Sequence, residues 1–268
     1  MEMIGLSAFD LGLAALLIAV LAAANWLAGA GLVRTLAVAA VRCAAQLLLI
    51  GLVLDALFAN VSLWWVALLA MVMLIIAGYE VMARQDRRFE GVWGYTLGTL
   101  AMFISSFSVT LLALTVIVGP DPWYEPRYAI PLLGMLLGNT MTGVALTLDH
   151  LTRLAWQQRA IIEARLMLGH DWSAAITDIR RHSVRNGLIP IVNAMGAAGV
   201  VSLPGMMTGQ ILAGNPPMEA VKYQILVFFL VTAGTGFGIL AAVILGARRL
   251  FDKRQRLRLD RLRRAAAG

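Results

Sequence analysis

Apolar residues do not alternate along this chain; they arrive in long runs separated by brief polar punctuation. Seven runs reach the roughly 17 or more residues that a bilayer core demands. They are about Phe9–Ala30, Thr35–Phe58, Leu63–Val81, Tyr95–Val118, Ile130–Leu148, Leu188–Ala213 and Val221–Ala247. The connections are short except for Asp149–Gly187. There Leu151, Leu154, Ile161, Ile162, Leu166 and Leu168 alternate with arginines at roughly helical spacing, which predicts two amphipathic helical stretches broken near Gly169-His170-Asp171. Asp171, just ahead of Ser173 and Ala174, is placed to cap the second. The pattern predicts an all-α, polytopic integral membrane protein with about seven transmembrane helices. Residues 1–268 are expected to form a single transmembrane domain, with an amphipathic inner loop at 149–187 and a basic tail at 248–268 that extends the last helix.

The sixth run differs from a plain membrane helix. Leu188–Gly214 reads LIPIVNAMGAAGVVSLPGMMTGQILAG, with Pro190 and Asn193 near its start and Pro204-Gly205 inside it. A broken helix survives in hydrocarbon only where protein or a cavity satisfies the freed backbone groups. The run is therefore expected to be a discontinuous sixth helix beside a transport path; an ordinary Pro/Gly kink is the simpler alternative.

Composition narrows the class. The chain is 60% hydrophobic and 14% charged, with mean hydropathy +0.80, which excludes a soluble domain. The net charge of +7 would suggest nucleic acid in a soluble protein, but here its distribution follows a membrane rule, and nucleic acid is not expected as a partner. With the N-terminus outside, all the Lys and Arg except Arg42, Arg127 and Lys222 fall on the inner side, so the N-terminus is expected out and the C-terminus in. The start carries Glu2 and Asp10 and no basic residue, so the first run reads as a retained helix and not a cleaved signal. Trp123, Tyr124 and Tyr128 in the outer loop Gly119–Ala129 suit the membrane–water interface. The basic tail suits anchoring to anionic membrane lipid. The single cysteine, Cys43, precludes a disulfide within the chain.

Little in the chain suggests catalysis. No phosphate-cradling Gly-rich loop with its lysine is present, and the two lysines, Lys222 and Lys253, lie elsewhere, so this is not an ATPase or, by any visible motif, another enzyme. His150, His170 and His182 lack the tight spacing of a metal site. Polar groups inside the runs are more informative, because each needs a partner or water there. Arg42 and Gln46, four apart, share a helix face; Asp55 and Glu80 lie near span ends. Asn139, Thr140 and Thr142 cluster in GNTMTG. Met135, Met141, Met195, Met206 and Met207 offer either soft thioether ligands or adaptable filler, and Gly234 and Gly238 allow close helix contact. The candidate pathway residues are Arg42, Gln46, Asn139, Thr142, Met206, Met207 and Gln210. Arg42 serves a bare cation poorly; it can pair with Glu80 or Asp55, or hold an anionic metal complex.

Glu163–Gly169 (EARLMLG), Leu188-Ile189-Pro190 and the block SLPGMMTGQILAG resemble the FetB-type permease family, with RCAAQLLLIG at Arg42–Gly51, PLLGMLLGNTMT at Pro131–Thr142 and AVKYQ at Ala220–Gln224 also fitting. These are membrane subunits of a bacterial ATP-binding-cassette system associated with iron export, and the plant aluminium-tolerance permeases are similar. The resemblance implies an export permease in the bacterial inner membrane that binds no cofactor itself. A separate ATPase would bind ATP and magnesium, iron would be the cargo, and a second copy of the chain would complete a homodimer. It also implies an ATPase-coupling loop at Glu163, Ala164, Arg165, Leu166, Leu168, Gly169, His170 and Asp171, through the E-A-x₄-G skeleton of importer coupling loops. Arg165 replaces an Ala of that pattern, and its downstream I-x-L-P is missing. Two other readings compete: a stand-alone secondary transporter or channel for a metal or small solute, and a membrane assembly protein that transports nothing.

Overall fold

The computed structural model describes Gly5 and Ser7–Arg264; Glu2 of the acidic start lies outside the described residues. Ser7 opens α1 (Ala8–Leu27) with a capping box, its backbone N–H donating to Asp10 Oδ2 at 2.8 Å while its hydroxyl accepts from the Asp10 N–H at 3.3 Å. α2 (Val33–Ala59) and α3 (Leu63–Ala83) follow. A fourth span, Val92–Val118, comprises α4 (Val92–Met102), a π-helical turn at Phe103–Phe107, α5 (Ser108–Leu112) and a second π-helical turn at Ala113–Val118. Then come α6 (Pro126–Gln157), α7 (Arg159–Met167), α8 (Trp172–Ala175), α9 (Thr177–Ala197), α10 (Gly205–Leu212) and α11 (Pro217–Arg249). Two short strands, β1 (Arg87–Phe89) and β2 (Leu262–Arg264), pair antiparallel, Phe89 opposite Leu262.

Six helices among the described residues are long and apolar enough to cross a membrane, one fewer than the runs predict: α1, α2, α3, the Val92–Val118 helix, α6 and α11. The missing one is Leu188–Ala213, and the expectation of a discontinuous sixth spanning helix is corrected. That run is divided between the end of α9, a turn and the separate eight-residue α10. The turn has its own hydrogen bonds: the Val201 and Ser202 N–H groups both donate to Ala197 O, and Gly199 sits at φ +82°. Pro204, which has no N–H to give, stands ahead of α10. The spanning helix that is interrupted is the fourth, at its two π-helical turns. Around them hydroxyls bond back into the ladder, Ser105 Oγ to Ala101 O at 2.9 Å and Thr115 Oγ1 to Leu111 O at 2.7 Å, a habit that bends helices.

Two further boundaries move. α6 runs well past Leu148, and α9 starts ten residues before Gly187, so only residues 158–176 of the expected inner loop lie outside the long helices. The tail is not a helical extension. α11 stops at Arg249 and the chain folds back: the Arg258 N–H donates to Leu250 O at 2.8 Å, and Arg261 Nη1 to Arg249 O at 2.8 Å. Asp252 fixes the turn by accepting from the Arg254 and Arg256 N–H groups, both at 2.9 Å, and this local satisfaction replaces the i→i−4 ladder.

The core lies between α3, the fourth helix, α6, α9 and α11. On α6, Leu133, Leu136, Leu137, Thr140, Val144, Thr147, Leu148 and Leu151 recur every three or four residues and are all buried. No residue of α1 is buried, and of α2 only Leu57. Their exposed surfaces are largely apolar, as befits helices whose solvent is lipid, although α2 also carries Arg42, Gln46 and Asp55.

The ends of the bundle are chemically distinct. At one, Phe89, Leu151, Ile162, Ile176, Leu250 and Leu262 form a cluster joining β1, α6, α7, the α8–α9 corner and the tail. Asp149 accepts from the Asp86 N–H at 2.8 Å, and Thr152 Oγ1 donates to Arg87 O at 2.7 Å. This end also gathers most of the arginines. The other holds the Gly119–Glu125 loop and the starts of α6 and α11.

Candidate functional site

Near the end opposite the arginines, α6, α10, α11 and the end of the fourth helix enclose a cavity of about 370 Å³. Arg127, Glu219 and Tyr223 line it together with Met135, Met206 and Gln210. α10 delivers the last two from one face, since residues four apart share it. Gln210 Oε1 is buried and accepts no hydrogen bond among the described residues, an uncommon condition that commonly marks a ligand or water position. Of the candidate pathway residues, the structure therefore brings together Met206 and Gln210.

The others lie elsewhere. Met207 is half-buried and does not line the cavity. Asn139 is exposed and bonds Met135 O at 2.8 Å; Thr142 bonds Gly138 O at 3.2 Å. The buried member of GNTMTG is their neighbour Thr140. Gln46 is exposed on α2. Arg42 reaches from α2 to α3 and ion-pairs with Glu80, which also lies 3.7 Å from Arg84. Of the options the sequence left for Arg42, the structure takes the pairing with Glu80.

Further buried polar groups occupy the contact between the fourth helix, α6, α9 and α11. Ser106 Oγ donates to Thr140 Oγ1 at 3.3 Å. Thr110, Thr147, Thr235 and Gln224 each keep a buried oxygen without a partner among the described residues. Glycines bring the backbones together here: a Cβ on Gly238 would lie 2.5 Å from Thr140 Cγ2 and 2.8 Å from Ser105 Oγ, and one on Gly187 only 1.9 Å from Thr147 Oγ1. Sequence reasoning singled out Gly234 and Gly238 for close helix contact and Thr140 as part of the GNTMTG cluster but missed Ser105, Ser106, Thr110, Thr147, Gln224 and Thr235. Spacing could have found some of them, because Thr140 and Thr147 are seven apart, and Gln224 and Thr235 eleven apart, each pair on one helix face.

At the arginine-rich end, the candidate coupling residues form a compact knob. Ile162 and Leu166 anchor α7 in the end cluster. Arg165 clamps the knob to α9, donating to Asp178 Oδ2 at 2.8 Å and to Ala175 O at 3.2 Å; its guanidinium holds the Asp178 carboxyl below the usual carboxylate range. Asp171 caps α8, accepting from the Ser173 and Ala174 N–H groups and the Ser173 hydroxyl, whose bond lowers its pKa. Gly169 turns the chain at φ +89°. Glu163, Ala164 and His170 stay exposed, Glu163 lying 3.4 Å from Arg159. Met167 and Leu168 project beyond the cluster, 83% and 80% exposed. Among the described residues no group of three or more His, Cys, Asp or Glu is placed to hold a metal ion.

Long apolar helices around a polar seam and a cavity define a polytopic integral membrane protein. The chain belongs to the family described as Uncharacterised protein family (UPF0014), whose sequence profile matches residues 8–251. It is similar to UPF0014 membrane protein slr1647 of Synechocystis sp., 38% identical over 79% of this chain and 81% of that one. UPF0014 membrane protein STAR2 of Oryza sativa subsp. japonica is 34% identical over 80% of this chain and 73% of its own. The protein named "Probable iron export permease protein FetB" of Escherichia coli is 29% identical over 83% and 84%. No solved structure matches the chain at a significant level.

Proposed function

We propose that this protein is a permease that releases a metal ion or other small solute through the Gln210 cavity. The observation that carries the reading is the unsatisfied Gln210 Oε1 beside the thioethers of Met135 and Met206 in that cavity. An amide oxygen and two soft sulfurs can replace part of a cation's hydration shell while holding it loosely enough to let go. The Ser106–Thr140 seam supplies further oxygens toward the opposite end, where helices that separate would expose them. Iron is the cargo suggested by the name of the Escherichia coli relative. Seven passages are proposed although only six helices among the described residues are long and apolar enough to span: α6 and α11 both run from the cavity end to the arginine-rich end, and the chain returns between them through the separate helices α9 and α10, not through one interrupted spanning helix. The arginine-rich end faces the cytoplasm of a bacterial inner membrane and the N-terminus lies outside.

Energy comes from a separate ATPase, which holds ATP and magnesium, with two copies of each chain in the working unit. Its docking site is the α7–α8 knob, where Met167 and Leu168 offer an apolar anchor inside a charged rim, and the Ile162 cluster transmits movement to α6, α9 and α11. A second reading has support of its own: cavity and seam lie within one chain, as a stand-alone transporter or channel requires. Iron(II) flux in proteoliposomes, with and without the ATPase and ATP, separates the two. ATP-dependent flux is expected, abolished by Met167→Glu/Leu168→Glu and reduced by Met206→Leu/Gln210→Leu. Full flux without ATPase transfers the assignment to the stand-alone reading, and no flux for iron, manganese, zinc or cobalt refutes the permease.

A further inference from the structure

A larger groove, about 810 Å³, lies between α9 and α11, well apart from the Gln210 cavity. Its two halves have opposite chemistry. Arg180, Arg181 and Arg185 line it toward the start of α9, and Ile189, Val192 and Ile244 continue it along the bundle. Positions 181, 185, 189 and 192 follow one another at helical spacing on one face of α9, and all four are exposed. None of the three arginines forms an ion pair among the described residues, and Arg180 Nε is buried without a hydrogen-bond partner. The nearest carboxylate along α9, Asp178, is held by Arg165. The groove face of α11 adds only Leu240, Val243 and Ile244, so nothing there neutralises the guanidinium groups.

We propose that this groove binds an anionic phospholipid. The three guanidinium groups hold the headgroup phosphate, and an acyl chain lies along Ile189, Val192 and Ile244. Two features select a lipid. A free anion would use the arginines but leave the apolar half empty, whereas an amphiphile in a bilayer fills both at the depth where each belongs. A second copy of this chain is a poor fit, because a twofold contact sets a patch against itself and would bring the arginines of both copies together. The tail, which the sequence suggested as the lipid anchor, uses much of its charge internally: Arg256 pairs with Asp252 at 2.8 Å and Arg258 with Asp260 at 2.7 Å. Specific lipid contact therefore passes to α9.

The test measures immobilisation of spin-labelled phosphatidylglycerol and phosphatidylcholine by the full chain in vesicles. The wild type is expected to favour the anionic label, with that preference falling on the order of tenfold in Arg181→Gln/Arg185→Gln. Lys253→Gln/Arg254→Gln, which removes the same charge from the tail, keeps the preference. Ile189→Trp fills the apolar half, leaves every charge in place and lowers immobilisation of the anionic label, so the result does not rest on one variant folding. Millimolar inorganic phosphate leaves the label bound. Unchanged preference in both α9 variants overturns the proposal, and so does displacement by phosphate, which would make the arginines a free-anion site. Disulfide-linked dimers from Ile189→Cys in a Cys43→Ser background would assign the groove to a second copy and overturn it equally.

Discussion

Replacing Gly187 by Ala tests the seam where α9 crosses α6. The new Cβ would stand 1.9 Å from Thr147 Oγ1, 2.8 Å from the Gly143 carbonyl oxygen and 3.1 Å from Ile239 Cδ1. A hydroxyl can rotate and an isoleucine methyl can shift, but a helix carbonyl cannot move without its helix. Overpacking of this kind costs about 1–3 kcal/mol. Gly138→Ala in α6 is the matched control, since its Cβ meets nothing within 4 Å. Both changes gain about 1 kcal/mol of helix propensity, so the difference between them isolates the overpacking. Reversible unfolding of the purified protein in mixed micelles should place Gly187→Ala about 1–3 kcal/mol below Gly138→Ala. Adding Thr147→Ala removes the closest clash but not the Gly143 carbonyl, so the double variant should recover part of the loss. A difference below about 0.5 kcal/mol, with no coupling to Thr147, would refute the close crossing.

The Arg42–Glu80 pair separates structure from transport. Glu80→Gln, which leaves Arg42 unpaired in a spanning helix, should lower the yield of folded protein more than Arg42→Gln, because Glu80 keeps Arg84 3.7 Å away, and the double variant should restore the yield; if folded yield recovers in the double but flux stays low, the residues act in the pathway. Asp252→Asn should make the tail sensitive to trypsin after Arg254 and Arg256 at neutral pH, and unchanged digestion would show that Asp252 does not hold the turn. The same tail should loosen in acid. Backbone N–H bonds from Arg256 lower the Asp252 pKa, and its bond to Arg258 brings Asp260 down to about 2. Their stabilisation is present in full above the ordinary carboxylate value of 3.8 and is lost progressively as pH falls below it, so peptic cleavage within 252–260 should rise as pH drops from 3.8, with the Asp260–Arg258 bond lost last, near pH 2. Gly169→Leu should weaken ATPase docking through backbone strain of about 1–2 kcal/mol at a positive φ, whereas Gly169→Asn should be milder; equal effects would indicate a steric cause instead.

The membrane class was legible because bilayer thickness imposes one length on every run, and the arginine partition was legible because it needs only loop positions. Asp171 as a cap and the break at Gly169 could also be read, since capping depends on neighbours within three residues. What escaped depended on neighbours far away in sequence. Asn139, Thr140 and Thr142 differ little in chemistry, and only the direction of α6 against α11 buries Thr140 and leaves Asn139 outside. The π-helical turns of the fourth helix lie where Ser105 and Thr115 bond back to carbonyls, and in sequence these look like ordinary small polar residues. The tail looked helical because its arginines continue from α11, yet Asp252 and Asp260 satisfy them in a tighter fold. Leu188–Ala213 passed as one span because an average over the run conceals the turn at Gly199.

The pairing of β1 with β2 constrains how the molecule is made. Arg87–Phe89 emerges from the ribosome before α4, and its partner Leu262–Arg264 emerges only after α11. Through the insertion of every later helix the edge of β1 waits uncovered, and Phe89 waits without Leu262. Closure of this end therefore follows the synthesis of α11, and a nascent chain stalled before residue 262 should carry these helices in place but keep this end accessible to chaperones and proteases.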